Sequence, residues 1–281
     1  MLARSGKQAL IAALMLGLAA TGVRAEAALA YLEGLKGSDT RYRAPSELDA
    51  RFTVALYVNV ATSGPWRQRM WVLQRDAIGA PWRLSMWDEA HWRKAELGDG
   101  DVPPYSWPVS TGRYYRGDRF SGPTPTGVFA LDERKWRYGR GYTAPGMIHT
   151  MYIDFHYPGG RRSGVAFHGT TDGRYRRLGT SDSHGCIRMM KKNAAALFDR
   201  ITGRDRTLPE ALRWGEVPRY WITEAGQTRS GYTRDGSTHP LQVAADVADL
   251  VPAALPGEEA AQPPAVLTKT GFRAVAVIFE N

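Results

Sequence analysis

The chain has 281 residues, of which 43% are hydrophobic and 23% are charged, a composition typical of a soluble globular protein. Its formal net charge of +9 indicates attraction to a polyanion. No basic helix or aromatic RNA-binding signature accompanies that charge, so we expect no nucleic-acid partner. The single cysteine excludes a disulfide within the chain.

The segment 1–25 has the three parts of an export signal. Arg4 and Lys7 form a basic start, positions 9–20 form an uncharged apolar run, and Val23 and Ala25 precede a cleavage site. The apolar run is shorter than the ~20 residues of a membrane span, which favours a cleaved signal over an uncleaved anchor. We therefore expect a protein of the periplasm or cell envelope that is not an integral membrane protein after cleavage.

The rest of the chain predicts a mainly β domain with a few short helices. A leader at 26–50 carries a short helix at 27–35. Strands are predicted at 52–61, 69–74, 82–87, 128–131, 151–155, 164–167 and 217–223. Helices are predicted at 194–201, with Asn193 as its cap and Gly203 at its end, and at 208–214. Short strands with Gly- and Pro-rich turns favour a sandwich or barrel over an alternating α/β sheet.

Residues 225–281 are predicted to form a C-terminal extension that is partly flexible. Residues 241–250 have a helical pattern, and residues 252–264 are rich in Ala, Pro and Glu. The apolar run at 272–279 predicts an edge strand that docks on the domain or on a partner. There it would cover a sheet edge or gate a binding groove.

Cys186 is the residue that most constrains the function. A lone thiol in an exported protein needs a reason, because that compartment tends to oxidise thiols. Ser183, His184 and Gly185 precede it, and the glycine permits an unusual backbone angle and close substrate approach. Backbone N–H groups at such a turn can stabilise an oxyanion. His168 follows a predicted strand upstream of the cysteine, where it is placed to act on the thiol.

Other interpretations of these residues are a structural thiol, a metal site and a different protease class. A free cysteine is often a small buried hydrophobe. His168, His184 and Cys186 are zinc-competent types, but no paired spacing supports zinc, and we expect neither a metal nor an organic cofactor. A papain-like protease has its cysteine before its histidine, the reverse of this order. His184 stays an alternative to His168 as the base, because geometry decides between them.

Four motifs in order carry a resemblance to a known family. They are Pro108-Val109-Ser110-Thr111-Gly112, Thr124-Pro125-Thr126-Gly127, His168-Gly169-Thr170 and Ser183-His184-Gly185-Cys186-Ile187-Arg188-Met189. In order and spacing this set closely resembles the L,D-transpeptidase (YkuD-type) catalytic domain, over roughly Phe52 to Thr223. The resemblance implies a compact YkuD-like β-sandwich with a helix packed after the cysteine, and we place the catalytic domain at 51–224.

The resemblance also implies acyl transfer on peptidoglycan stem peptides. Members of the family cut the amide from the L-centre of diaminopimelate to D-alanine, and the acyl group is held as a cysteine thioester. Carried over residue by residue, Cys186 is the nucleophile, His168 the general base and the Gly169 carbonyl its orienter. Ser183 and His184 shape the site, and the amides of His184, Gly185 and Cys186 form the oxyanion hole. Candidate substrate contacts are Arg188, which is positioned to bind a carboxylate of the stem, Thr170 and Tyr152.

The resemblance leaves the acceptor open. It is a second diaminopimelate, the lysine of an envelope lipoprotein, a free D-amino acid or water. Water would make the protein an L,D-carboxypeptidase or an amidase that releases wall-anchored protein. A cell-wall-binding module with a decayed site is the non-enzymatic alternative, and the intact His168/Cys186 pair argues against it. Arg188 could equally brace its loop.

Overall fold

The computed structural model describes residues 26–36, 42–86, 105–132, 146–155, 163–218 and 268–281. The predicted signal at 1–25, the predicted helix at 241–250 and the segment 252–264 lie outside the described residues. Within those ranges, no helix has the length and apolar character needed to cross a membrane.

Short strands dominate the described part of the chain. The strands are β1 (Val54–Asn59), β2 (Arg69–Gln74), β3 (Arg83–Met86), β4 (Trp107–Pro108), β5 (Gly127–Ala130), β6 (Met151–Tyr152), β7 (Ala166–Gly169), β8 (Ile187–Met189), β9 (Trp214–Pro218), β10 (Thr268–Phe272) and β11 (Ala274–Phe279). Residues 26–34, Lys191–Thr202 and Glu210–Arg213 are α-helical, and Pro45–Glu47 and Asp172–Arg177 form 3-10 turns. The mainly β fold with few short helices is as predicted.

The main sheet runs in the order β3-β2-β1-β11-β5, and β4 pairs with the start of β2. β1 is antiparallel to β2 and parallel to β11, while β11 is antiparallel to β5. Every residue of β1, β2 and β11 is buried. Because alternate side chains of a strand point to opposite faces, both faces of this sheet are covered, which explains its continuous apolar runs.

Two apolar layers cover the main sheet. One face packs against a second sheet, β6-β7-β8, and against the helix Lys191–Thr202. Residues of this first layer include Leu56, Met70, Phe129, Ile278, Phe167, Ile187, Leu197 and Phe198. The other face packs against the N-terminal helix and the chain that follows it, through Leu32, Tyr42, Leu48, Tyr57, Trp71, Val277 and Phe279. The short helix predicted at 27–35 is confirmed, and it helps to close this second core.

The two sheets are joined at both sides, which fixes the second sheet over the first. On one side, Ser110 follows β4 and exchanges two 2.9 Å hydrogen bonds with Arg188 of β8. On the other, the amide of Asp154 donates to the carbonyl of Ala130 at 2.8 Å, just beyond β6 and at the end of β5. Strands that cross between layers in this way make the corners of a β-sandwich.

The prediction of an edge strand near the C-terminus is wrong. β11 lies between β1 and β5, with Val54 opposite Ala274 and Asn59 opposite Phe279. A strand with a neighbour on each side and a layer on each face needs apolar side chains at every position, and the sequence of β11 provides them.

The helix after the cysteine is confirmed, but its predicted cap is wrong. The helix begins at Lys191 and Met190 is its N-cap, so Asn193 lies inside the first turn. Gly203 ends the helix as expected, with a φ of 79° in the left-handed region that favours glycine.

Candidate active site

Cys186 and His168 belong to one face of the second sheet. In the parallel pair β7 and β8, Phe167 lies opposite Ile187 and His168 opposite Arg188. Phe167 and Ile187 point into the first apolar layer. Because side chains alternate, His168 and Arg188 point the other way, and so does Cys186, which directly precedes β8. Cys186 packs there against Met147, Tyr152 and Ala166.

The imidazole of His168 is held in one tautomer. Its Nδ1 lies 2.7 Å from the carbonyl oxygen of Gly169. A carbonyl can only accept, so Nδ1 carries the proton and Nε2 keeps its lone pair. Burial lowers the pKa of His168 to about 4, the Gly169 carbonyl acts in the opposite direction, and the charge of Arg188 lowers it further. His168 is therefore neutral at pH 7, with Nε2 able to accept a proton.

The thiol of Cys186 is protonated at rest. The side chain is partly buried, and Sγ lies 3.3 Å from the carbonyl oxygen of Gly164, to which the S–H donates. Burial raises the pKa of the Cys186 thiol, while the backbone N–H of Ala166 and the charge of Arg188 act in the opposite direction. The resting pair is thus a thiol and a neutral imidazole rather than a thiolate and an imidazolium.

Ser183 organises the loop 182–186 that carries the candidate nucleophile Cys186 (the nucleophile loop). Its buried hydroxyl accepts the N–H of Gly185 at 3.0 Å and donates to the carbonyl of Cys186. Gly185 has a φ of 137°, which side-chain-bearing residues rarely adopt. In this arrangement the Gly185 amide is bonded inside the loop. This differs from the expectation that it donates to an oxyanion.

Thr124 joins the first two motifs to the nucleophile loop. Its hydroxyl accepts the N–H of Gly112 at 2.8 Å and donates to the carbonyl of Gly185 at 2.9 Å. A Cβ on Gly112 would lie 2.6 Å from Cα of Gly185 and 2.2 Å from the carbonyl oxygen of Gly122. Gly112 and Thr124 belong to the first two motifs of the resemblance, and the structure places them together as the support of this loop.

His184 faces a different partner. Its Nε2 lies 3.0 Å from Oδ2 of Asp118, and its half-exposed ring stacks on Tyr115 with 4.6 Å between ring centroids. The two candidate bases therefore differ in setting: His168 is buried on the face that carries Cys186, and His184 is held at the surface by the segment after Gly112.

Arg188 braces the nucleophile loop. Its guanidinium is largely buried, donates to the carbonyl of Asp182, and lies 3.9 Å from the carboxylate of that residue. The carboxylate of Asp182 also accepts hydrogen bonds from the hydroxyl of Tyr115 at 3.1 Å, from Arg174 at 3.1 Å and from Arg113 at 3.4 Å. Sequence reasoning missed Asp182 as a central residue, since no motif spacing links it to partners that come from three separate segments.

Thr170 and Tyr152 are buried. The amide of Thr170 donates to the carbonyl of Met189 at 3.0 Å, and Tyr152 is part of the small apolar cluster beside Cys186. Such burial leaves little side-chain surface for a substrate, and the contacts expected of them stay predictions. Within the described ranges, no three His, Cys, Asp or Glu side chains are grouped as a metal ion would require.

The chain is similar to one known protein family and to solved structures. A family model described as the L,D-transpeptidase catalytic domain (YkuD) matches residues 87–234, just over half of the chain. Two similar solved structures are the L,D-transpeptidase LdtMt1 in complex with imipenem (18% identity, TM-score 0.29) and an L,D-transpeptidase from Mycobacterium smegmatis (18% identity, TM-score 0.28). The alignments cover 53% of this chain in both cases, and 55% and 54% of the respective structures. The chain thus spans about half the length of these structures, and no curated protein matches it. By its family match, the chain belongs to the YkuD family of L,D-transpeptidase catalytic domains.

Proposed function

We propose that this protein is a peptidoglycan L,D-transpeptidase of the cell envelope, exported by a cleaved signal. It takes an acyl group from a stem tetrapeptide onto Cys186 and passes it to an amine. The observation that carries this proposal is that Cys186 shares one sheet face with His168, whose Nδ1 is held by the Gly169 carbonyl. That contact leaves Nε2 as the proton acceptor that a thiol nucleophile needs.

The first half-reaction forms the thioester. Sγ of Cys186 attacks the carbonyl carbon of the diaminopimelate–D-alanine amide while Nε2 of His168 takes the thiol proton. The amides of His184 and Cys186 stabilise the oxyanion, because the Gly185 amide is bonded to Ser183. When the C–N bond breaks, the imidazolium returns the proton to the leaving amine, and D-alanine departs.

The second half-reaction transfers the acyl group. The acceptor amine attacks the thioester carbonyl, His168 takes a proton from that amine, and the C–S bond breaks as the new amide forms. The proton then returns to Sγ. Acceptors of suitable chemistry are the side-chain amine of a second stem diaminopimelate and the lysine of an envelope lipoprotein. The basic chain suits a wall polymer with free carboxylates.

The test is incubation of the purified protein with a disaccharide-tetrapeptide, with and without an amine acceptor, followed by mass spectrometry. We expect an adduct on Cys186, release of D-alanine and an amide product that contains the acceptor. The Cys186→Ala variant should give none of these. Release of D-alanine by folded Cys186→Ala would reject the thioester mechanism. If the wild type gives a free tripeptide as its sole product, the acceptor is water and the enzyme is a hydrolase.

A further inference from the structure

We infer that Arg113 and Arg174 form a binding site for a carboxylate of the substrate peptide, next to the nucleophile loop. This inference rests on the proposed function. It moves the carboxylate contact expected of Arg188 to two other arginines that the four motifs do not contain.

Arg188 is poorly placed to bind a ligand. Its guanidinium is buried, donates to the carbonyl of Asp182 and faces the carboxylate of the same residue. A substrate carboxylate would compete with Asp182 at a largely buried side chain, and these contacts hold the loop that carries Cys186. Breaking a buried charged hydrogen bond is costly, so binding elsewhere is favoured.

The cluster around Asp182 has an excess of positive charge. Arg113, Arg174 and Arg188 converge on one carboxylate, with N···O distances of 3.4, 3.1 and 3.9 Å. The side chain of Asp182 is only 9% exposed, so three guanidinium groups share a single, nearly enclosed negative charge. A second carboxylate arriving at this cluster would meet net positive charge.

Arg113 and Arg174 also have the exposure that Arg188 lacks. Their side chains are 52% and 54% exposed. Each gives Asp182 one nitrogen, while a guanidinium has five N–H donors in a planar fork that suits a carboxylate. Cζ of Arg113 lies 4.6 Å from the centroid of the Tyr115 ring, which restricts the orientation of that fork before a ligand binds.

The cluster lies beside the reacting thiol. Asp182 and Arg188 lie on either side of Cys186 in the same short stretch of chain. Arg188 lies two residues after Cys186, on the same sheet face, and its guanidinium bonds to the carbonyl of Asp182, so it connects the thiol to the cluster. The proposed donor peptide has two carboxylates near its scissile amide, one at the C-terminus of D-alanine and one at the D-centre of diaminopimelate. Both have the chemistry that the pair would bind.

The test compares three donor peptides: the free tetrapeptide, one amidated at D-alanine and one amidated at the D-centre of diaminopimelate. Thioester formation is followed for the wild type, Arg113→Gln, Arg174→Gln and the double variant. Arg177→Gln is the matched control, since it removes the same charge from the same exposed 3-10 turn as Arg174. We expect the double variant to lose about 10–100-fold in kcat/KM on the free peptide, the effect of one or two charged hydrogen bonds. On one amidated peptide its loss should disappear, and that peptide identifies the carboxylate.

Direct binding separates this inference from the proposed function. Calorimetry measures how tightly the Cys186→Ala protein binds each peptide, and we expect the free peptide to bind more tightly than the amidated ones. Adding Arg113→Gln and Arg174→Gln to Cys186→Ala should abolish this difference in affinity. An equal loss on all three peptides would show that the two arginines only support Asp182, and would overturn the inference. If the wild type forms no thioester with any of the peptides, the proposed function is wrong whatever the binding data show.

Discussion

At the scale of single residues, Cys186 and His168 are both neutral at rest, and the proposed reaction requires that a proton move from one to the other. Burial acts on both partners in the direction that disfavours charge, since it lowers the pKa of His168 and raises that of Cys186. In the proposed reaction, a thiolate therefore forms only when its proton moves to His168, at the moment that the substrate carbonyl accepts the sulfur. This arrangement limits the reactivity of the thiol toward oxidants, because the thiolate is the form that they attack.

The first prediction concerns pH. His168 has a pKa of about 4, so the base is deprotonated above that pH and acylation should fall only as the pH drops toward 4, rather than below the usual 6.5. His168→Gln should lose roughly 10²–10⁴ in rate at pH 7, the usual contribution of a general base. That loss should shrink at alkaline pH, where the thiol ionises unaided. Rates of carbapenem adduct formation from pH 4 to 10 measure both effects.

His184→Gln is the comparison variant for that experiment. Its ring contacts Asp118 and Tyr115, so its replacement should cost less than that of His168 and should leave the acid limb unchanged. An inactive His184→Gln beside a fully active His168→Gln would show that the base is misassigned.

At the scale of elements, the nucleophile loop is held in place by backbone contacts from other loops. Gly112 touches Gly185 directly, and Thr124 bonds to both. The reacting sulfur therefore depends on the position of a segment that lies far upstream in the chain. Small displacements of a catalytic group are costly, since about 1 Å can reduce a rate 10²-fold.

The second prediction is that Gly112→Ala impairs catalysis through this contact. The added methyl group would approach backbone atoms of Gly122 and Gly185 at 2.2 and 2.6 Å, so one of the loops must shift. We expect kcat/KM for thioester formation to fall about 10²-fold or more. Gly173→Ala is the control, because a Cβ there has no neighbour within 4 Å. Similar kinetics for the two variants would show that the loop position does not depend on the Gly112 contact.

The site and the fold were predictable to different extents. Local chemistry marked Cys186 and His168, and the helix after the cysteine followed from its apolar pattern and Gly203. The Asp182 cluster was not predictable, because Arg113 and Arg174 meet it only through the tertiary fold. The central place of β11 was missed for a similar reason. An apolar run shows that a strand is buried, but pairing with β1, at the opposite end of the domain sequence, leaves no local signal.

At the scale of the whole molecule, stability depends on the strand nearest the C-terminus. β11 contributes to both apolar layers, through Ala276 and Ile278 on one face and Val277 and Phe279 on the other. The carbonyl of Asn281 accepts a hydrogen bond from Nδ2 of Asn59 at 2.9 Å, which ties the end of the sheet. Because these contacts belong to the two cores and to the sheet itself, the effect of this segment on the reaction should come through folding.

The third prediction follows from that position. Ile278→Ala should lower the free energy of unfolding by about 2–5 kcal/mol, because it leaves a cavity between the sheet and the helix layer. Denaturant unfolding measures this effect, and the folded variant should keep its kcat/KM within about twofold. Glu280→Ala, at an exposed neighbouring position, should change neither quantity. If Ile278→Ala has the same free energy of unfolding as the wild type but prefers a different acceptor, the C-terminal segment gates the reaction instead.

The central place of β11 also has a consequence for how the protein is made. β1 and β5 are synthesised well before β11, the strand that pairs with both of them. A nascent chain therefore contains the entire nucleophile loop well before it has a finished sheet beneath it. Synthesis of the reactive cysteine and completion of the domain are separated in time. A chain that stops short of β11 would carry Cys186 without the completed main sheet.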